Sequence, residues 1–120
     1  MKLERDMMRG AGPTAVLQLL SAGEMYGYEI VEQLEKRTQG VLAMGQSTLY
    51  PMLYNLEAKK LIEGDTRTAD NGRARRYYKL TGSGRERLAA DREKWSALAS
   101  AMGHLGVLNG GSSTSLAGLA

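Results

Sequence analysis

Residues 46–56 read QSTLYPMLYNL and bring Gln46, Ser47, Thr48, Tyr50, Tyr54 and Asn55 into one short stretch. Hydroxyls, amides and phenols are groups that donate to or accept from phosphates and base edges, so this stretch carries chemistry suited to nucleic acid. Read as a helix, it puts Leu49, Met52, Leu53 and Leu56 at i, i+3, i+4 and i+7, one apolar stripe at the 3.6 period. Ser47, Pro51, Tyr54, Asn55 and Ala58 then fall on the opposite side, with Thr48 and Tyr50 on the flanks. Such an outward face differs from the usual Glu/Lys solvent face. A second chemical feature is RARRYYK over residues 73–79, with four positive charges and no negative one, a cationic ridge able to meet phosphate through Arg73, Arg75 and Arg76.

Other chemistries find no support. The chain has no cysteine, which excludes disulfides, thiol catalysis and thiolate metal sites, and its one histidine, His104, cannot build a multi-histidine centre. No Asp/Glu spacing matches a calcium loop. GAG, GSG and NGG fit neither a dinucleotide-binding glycine pattern nor a phosphate loop, and GSGRE lacks the context of a nucleophile elbow. The expectation is therefore no enzyme, no metal and no cofactor.

The 120 residues, with 42% hydrophobic and 24% charged, suit one small globular domain, and no apolar run reaches the roughly 20 residues of a membrane span. MKLERDMMRGAG mixes both charge signs and has no apolar core before Pro13, so it does not read as a signal peptide, and a cytoplasmic location is expected. The net charge of +3 is uneven: residues 1–58 carry five Lys/Arg against seven Asp/Glu, and residues 59–120 carry eleven against six. The basic excess lies in the second half, toward a phosphate-bearing partner.

The elements that position these groups follow from local signals. Residues 1–12 form an arm, open between helix and extended chain. Gly12-Pro13 before TAVLQLLSAG starts a short helix with Pro13 at its first position and Gly23 as its stop. MYGYEIVEQLEKRTQG gives a second helix, with Tyr26, Ile30, Val31 and Leu34 on its apolar side and Gly40 just past its end. The third begins near an N-cap at Ser47 and runs to about Lys60. LIEGDTRT and ARRYYKL bracket ADNGR, where Asn71-Gly72 is a strong hairpin signal, and a two-stranded ribbon is expected. Thr81 caps a last helix, over which Leu88, Trp95, Leu98, Met102 and Leu105 keep coiled-coil spacing, broken once by Asp91. NGGSSTSLAGLA is low in complexity and expected to be disordered.

Helix, helix, helix, hairpin, helix is the order of a winged helix-turn-helix, a mainly α fold with a small β-hairpin wing (α+β), here extended by a long C-terminal dimerisation helix. The expected divisions are an arm over 1–12, a DNA-binding domain over 13–81, a dimerisation helix over 82–106 and a tail over 107–120. The third helix enters the major groove and the wing grips the adjacent backbone, with Lys59 beside them and Tyr28 reaching phosphate.

At this point the blocks Tyr26-Gly27-Tyr28-Glu29-Ile30, Ser47-Thr48-Leu49-Tyr50-Pro51, Leu56-Glu57 with Leu61-Ile62, and Arg76-Tyr77-Tyr78-Lys79-Leu80-Thr81 with Gly84 together resemble the PadR family of bacterial transcriptional regulators, in its smaller subfamily with one C-terminal helix. The resemblance spans about residues 10 to 105. It departs at Lys60, where the family commonly has glycine, and at Asn55, where it often has a basic residue. The resemblance implies a homodimeric winged-helix repressor that binds an inverted-repeat operator and releases it on sensing a small molecule. In multidrug-sensing members it further implies an apolar slot around a tryptophan between subunits. The matching residues here are Trp95, Met7, Met8, Ala15, Ala99 and Asp91, and the implied effector is small and aromatic or cationic. The competing readings are a winged-helix module for protein contact and a nonspecific architectural DNA-binding protein.

Overall fold

A computed structural model describes residues 1–108. The elements run α1 (Arg5–Leu20), β1 (Met25–Tyr26), α2 (Gly27–Arg37), α3 (Gln46–Ala58), β2 (Ile62–Thr68), β3 (Ala74–Leu80) and α4 (Gly82–Leu105). The tail expected from residue 107 lies outside the described residues after Leu108. Two compact units divide the chain, Met1–Leu88 and the remainder from Ala89.

In the first unit one apolar core collects the inward faces of every long element: Val16, Leu17 and Leu20 from α1, Ile30 and Leu34 from α2, Leu49, Leu53 and Leu56 from α3. Ile62, Tyr78 and Leu80 close it from the sheet. Each set lies at helical or alternate-residue spacing, so burying it removes whole apolar faces from water, worth about 1.5–3 kcal/mol per large side chain.

The α+β architecture read from the sequence is present, with four differences in its parts. The first helix begins at Arg5, eight residues before Pro13, which sits inside it. Proline there removes a backbone hydrogen bond, yet the earlier turns are held by buried Met8 and by the Leu3 amide, which donates to the Val41 carbonyl at 2.9 Å. Next, a strand too short for any periodic signal, β1, pairs antiparallel with β3 (Met25 opposite Tyr78, Tyr26 opposite Tyr77), so the sheet has three strands in the order β1-β3-β2. Tyr26 therefore belongs to the sheet and the start of α2, where its amide donates to Glu29 Oε1 at 3.0 Å.

The third difference is the start of α3. Gly45, not Ser47, holds the N-cap position, and no side-chain capping bond forms there. Glycine in extended conformation serves as cap with little penalty, which leaves the Ser47 hydroxyl outside that role. The fourth is Leu88, expected on a subunit seam: it is 3% exposed and part of the first unit's core, because α4 begins by packing there.

The remaining local signals hold. The strands β2 and β3 pair from Ile62 opposite Leu80 to Thr68 opposite Ala74, and residues 69–73 make the turn. Gly72 takes φ +82°, and Asn71 Oδ1 accepts the Arg73 amide at 3.0 Å. Thr81 caps α4, its Oγ1 accepting the Gly84 amide at 2.9 Å and donating to the Lys60 carbonyl at 2.7 Å.

Helix α3 stops in a Schellman turn: the Lys60 amide donates to the Glu57 carbonyl at 2.9 Å and the Leu61 amide to that of Leu56 at 3.0 Å. Lys60 occupies the left-handed position at φ +61°, the place where a glycine is ordinarily found. Lys60→Gly is expected to raise stability by about 1 kcal/mol, the relief of left-handed strain exceeding glycine's extra chain entropy. A urea melt with unchanged slope and a higher midpoint is the check.

In the second unit, α4 continues to Leu105 and ends at Gly106 (φ +90°), whose amide donates to the Gly103 carbonyl at 3.0 Å. Trp95 and Leu98 are 42% and 45% exposed, Leu105 is 79% exposed, and Met102 is half-buried. Among the described residues no helix is long and apolar enough to cross a membrane.

Candidate nucleic-acid interface

Helix α3 turns Leu49, Leu53 and Leu56 into the core and leaves Gln46, Ser47, Thr48, Tyr54 and Asn55 exposed, Tyr54 to 74%. The groups chosen from the sequence for polar recognition are therefore on one accessible face, and Lys59, just after the helix, is exposed as well. Tyr50 is half-exposed, with its ring against the α2 start: a Cβ on Gly27 would lie 2.6 Å from the Tyr50 hydroxyl. Gly27 thus lets α2 and the phenol approach closely, a contact its sequence context did not reveal. On α2, Tyr28 is 49% exposed.

The wing does not form the undivided ridge that RARRYYK suggested. Alternation along β3 sends Arg76 and Tyr78 to the face that meets α3, and Arg75, Tyr77 and Lys79 to the other. Arg76 Nη2 donates to Glu57 Oε2 at 2.5 Å and Nη1 to Thr66 Oγ1 at 3.2 Å. Its guanidinium crosses Gly64, where a Cβ would stand 2.5 Å from Nε, so the missing side chain opens the path from wing to helix. Glu57 is the only carboxylate on α3, and Arg76 neutralises it. The pairing holds Arg76 above the ordinary arginine pKa, chiefly through its hydrogen bond to Glu57, and burial pushes the Tyr78 phenol up.

On the other face Arg67 binds both carboxylate oxygens of Glu24, at 2.6 and 2.9 Å, and Asp65 at 3.0 Å. Its guanidinium lies 4.5 Å over the Tyr77 ring, Tyr77 meets Tyr26 edge-on at 5.5 Å, and Arg75 lies 4.6 Å over Tyr26. Arg67's hydrogen bond holds the Glu24 carboxyl below its usual value. Lys79 pairs with Glu63 at 3.5 Å. This stack of rings and guanidinium groups joins β1 to the hairpin, and no sequence signal identified it, because its members come from three separate strands. Arg73 is exposed at the turn, and Arg75 is the wing cation stacked on a ring rather than held by a carboxylate.

The slot residues divide. Met7 is 61% exposed while Met8 is 4% exposed, so these neighbours do not share one surface. Ala15 packs on the core, and Trp95 and Ala99 are exposed on α4. Asp91 is 9% exposed. Among the described residues no group of three or more His, Cys, Asp or Glu is placed to hold a metal.

The family model described as the transcriptional regulator PadR-like family matches residues 16–90. The transcriptional regulator Rv3488 of Mycobacterium tuberculosis is 35% identical over 95 residues, covering 79% of this chain and 85% of that one. A PadR-like transcriptional regulator from Bacillus cereus superposes with a TM-score of 0.74 at 30% identity, covering 84% of this chain and 96% of that one. Bacillus subtilis PadR, solved in complex with operator DNA, superposes with a TM-score of 0.63 at 28% identity, over 67% of this chain and 46% of that one.

Proposed function

The chain belongs to the PadR-like family of transcriptional regulators, and from that premise we propose that it is a cytoplasmic homodimeric repressor that reads an inverted-repeat operator with α3 and is released by a small molecule. The observation that carries the reading is the exposed face of α3: an amide, two hydroxyls, a phenol and a second amide, with the helix's one carboxylate already neutralised by Arg76. A carboxylate left bare beside that face would repel phosphate, and its pairing favours DNA as the partner. The operator-bound relative supports the same partner.

Anisotropy against duplexes enriched from a random pool tests the proposal, with an inverted repeat as the expected enrichment. Within that assay the paired and unpaired wing cations separate. Arg73→Ala and Arg75→Ala are each expected to lower the slope of log affinity against log salt by about one, the loss of one phosphate contact. Arg76→Ala with Glu57→Gln, which removes the pair without baring its carboxylate, is expected to lower it by less than half of that. Equal slopes for all three variants and the parent would favour a protein-contact module.

Dimerisation is assigned to the apolar positions of α4, exposed Trp95, Leu98 and Leu105 with half-buried Met102, which recur at three- and four-residue steps. Closed two-fold assembly would set two copies of α3 about one helical turn of DNA, or a multiple, apart. Leu98→Glu is expected to convert the protein to a monomer in sedimentation equilibrium, with its helical circular dichroism retained. Effector release through the neighbourhood of Trp95 requires a ligand that binds one subunit arrangement more tightly than the other.

A further inference from the structure

A cavity of about 580 Å³ opens in the first unit between the start of α1, residues 43 and 44, and the start of α3. Its apolar lining includes Met8, Met44 and Met52, flexible thioether side chains that repack around varied shapes. Gly12 makes room for them: a Cβ there would lie 2.6 Å from Met52 Cε and 3.6 Å from Met44 Cε. Three cations, Lys2, Arg5 and Arg9, line the same space, and no carboxylate does; Asp6, 3.6 Å from Arg9, lies outside the lining. Helices α1 and α3 both begin here without a side-chain capping bond, so the positive ends of two helix dipoles add to the charge.

An apolar floor under a rim whose charged groups are all cationic, in a volume suited to a small ligand, has one complementary occupant by charge and shape. We propose that this cavity binds a small organic anion with an apolar body, and that its occupant competes with DNA for the start of α3. The competition rests on the DNA reading above, since Ser47 and Thr48 line the cavity and also belong to the face assigned to DNA. The cations escape the sequence reading because they are spaced along the arm and first turns of α1 among Glu4 and Asp6, with no run of one sign.

The test uses the full chain and the fluorescent sulfonate 8-anilinonaphthalene-1-sulfonate, with uncharged N-phenyl-1-naphthylamine as its comparison. The sulfonate is expected to bind at least tenfold more tightly than the amine, and Lys2→Gln with Arg5→Gln is expected to remove that advantage. Ala43→Phe, which fills the cavity from its wall, is expected to abolish binding; should that variant fold poorly, the exposed Lys2 and Arg5 changes decide alone. Saturating sulfonate is expected to weaken duplex binding at least fivefold. Sulfonate affinity unchanged by the rim variants overturns the proposal, as does a rim variant that loses duplex affinity while holding the sulfonate as well as the parent, which would make these cations phosphate contacts. A parent protein that binds no duplex would refute the DNA reading, while the sulfonate series would still decide the cavity.

Discussion

Alanine at position 84 is expected to destabilise the protein by about 3 kcal/mol, the upper range for forcing atoms into a filled site, and to lower the melting temperature by more than 10 °C. Gly84 lies in the first turn of α4, and a Cβ there would overlap the Leu61 carbonyl oxygen and stand 2.9 Å from Leu80 Cδ2. The carbonyl cannot move aside cheaply, because it accepts the Thr81 amide at 3.1 Å while Thr81 Oγ1 is bonded to the neighbouring Lys60 carbonyl. The close approach brings the end of α3, the start of β2 and the start of α4 together at one point. Any side chain at 84 must pry them apart. Gly82→Ala is the control: a Cβ there meets nothing within 4 Å, and its effect is expected within about 0.5 kcal/mol. Thermal melts of both variants, followed by circular dichroism, check the contrast.

The second large effect concerns DNA. Gln46→Ala combined with Thr48→Ala is expected to reduce affinity for the enriched duplex by about 100-fold, roughly 2.7 kcal/mol, the order expected for losing specific contacts at the start of a groove-inserted helix. Affinity for random duplex should fall far less, since phosphate contacts supply most of that binding. Stability should hold, because both side chains are exposed and the helix start is capped by Gly45 without help from a side chain. An equal loss on specific and random DNA, at unchanged melting temperature, would assign α3 to backbone contact rather than base reading.

Much of the fold is legible in the chain because the signals are local. The apolar stripe of Leu49, Leu53 and Leu56, the Asn71-Gly72 turn and the Thr81 cap each act within a few residues, and each appears where its physics puts it. The exposed face of α3 follows from the same stripe, since fixing the buried side of a helix fixes its opposite. Signals of equal strength fail where a distant contact outweighs them. Pro13 reads as a helix start, but burial of Met8 and the Leu3–Val41 bond extend the helix past it. The third helix reads as running to about Lys60, yet the packing on either side, Leu56 before it and Leu61 after it, holds Lys60 left-handed past the helix end.

What this sequence determines by itself is the set of faces: which residues of each helix go inward, where the hairpin turns, and which polar groups α3 presents. The tertiary structure alone decides how charges are spent. Arg73, Arg75 and Arg76 are nearly adjacent in sequence and look alike, but strand alternation and the gap above Gly64 send Arg76 to Glu57, while Arg75 goes to a tyrosine ring and Arg73 stays at the turn. Lys2, Arg5 and Arg9 look scattered, but the fold gathers them with Met8 of their own segment over Met44 and Met52 from two distant places. The physical reason is range: periodicity, capping and turn chemistry are settled over a few residues, whereas an ion pair or a cavity depends on which distant segments meet.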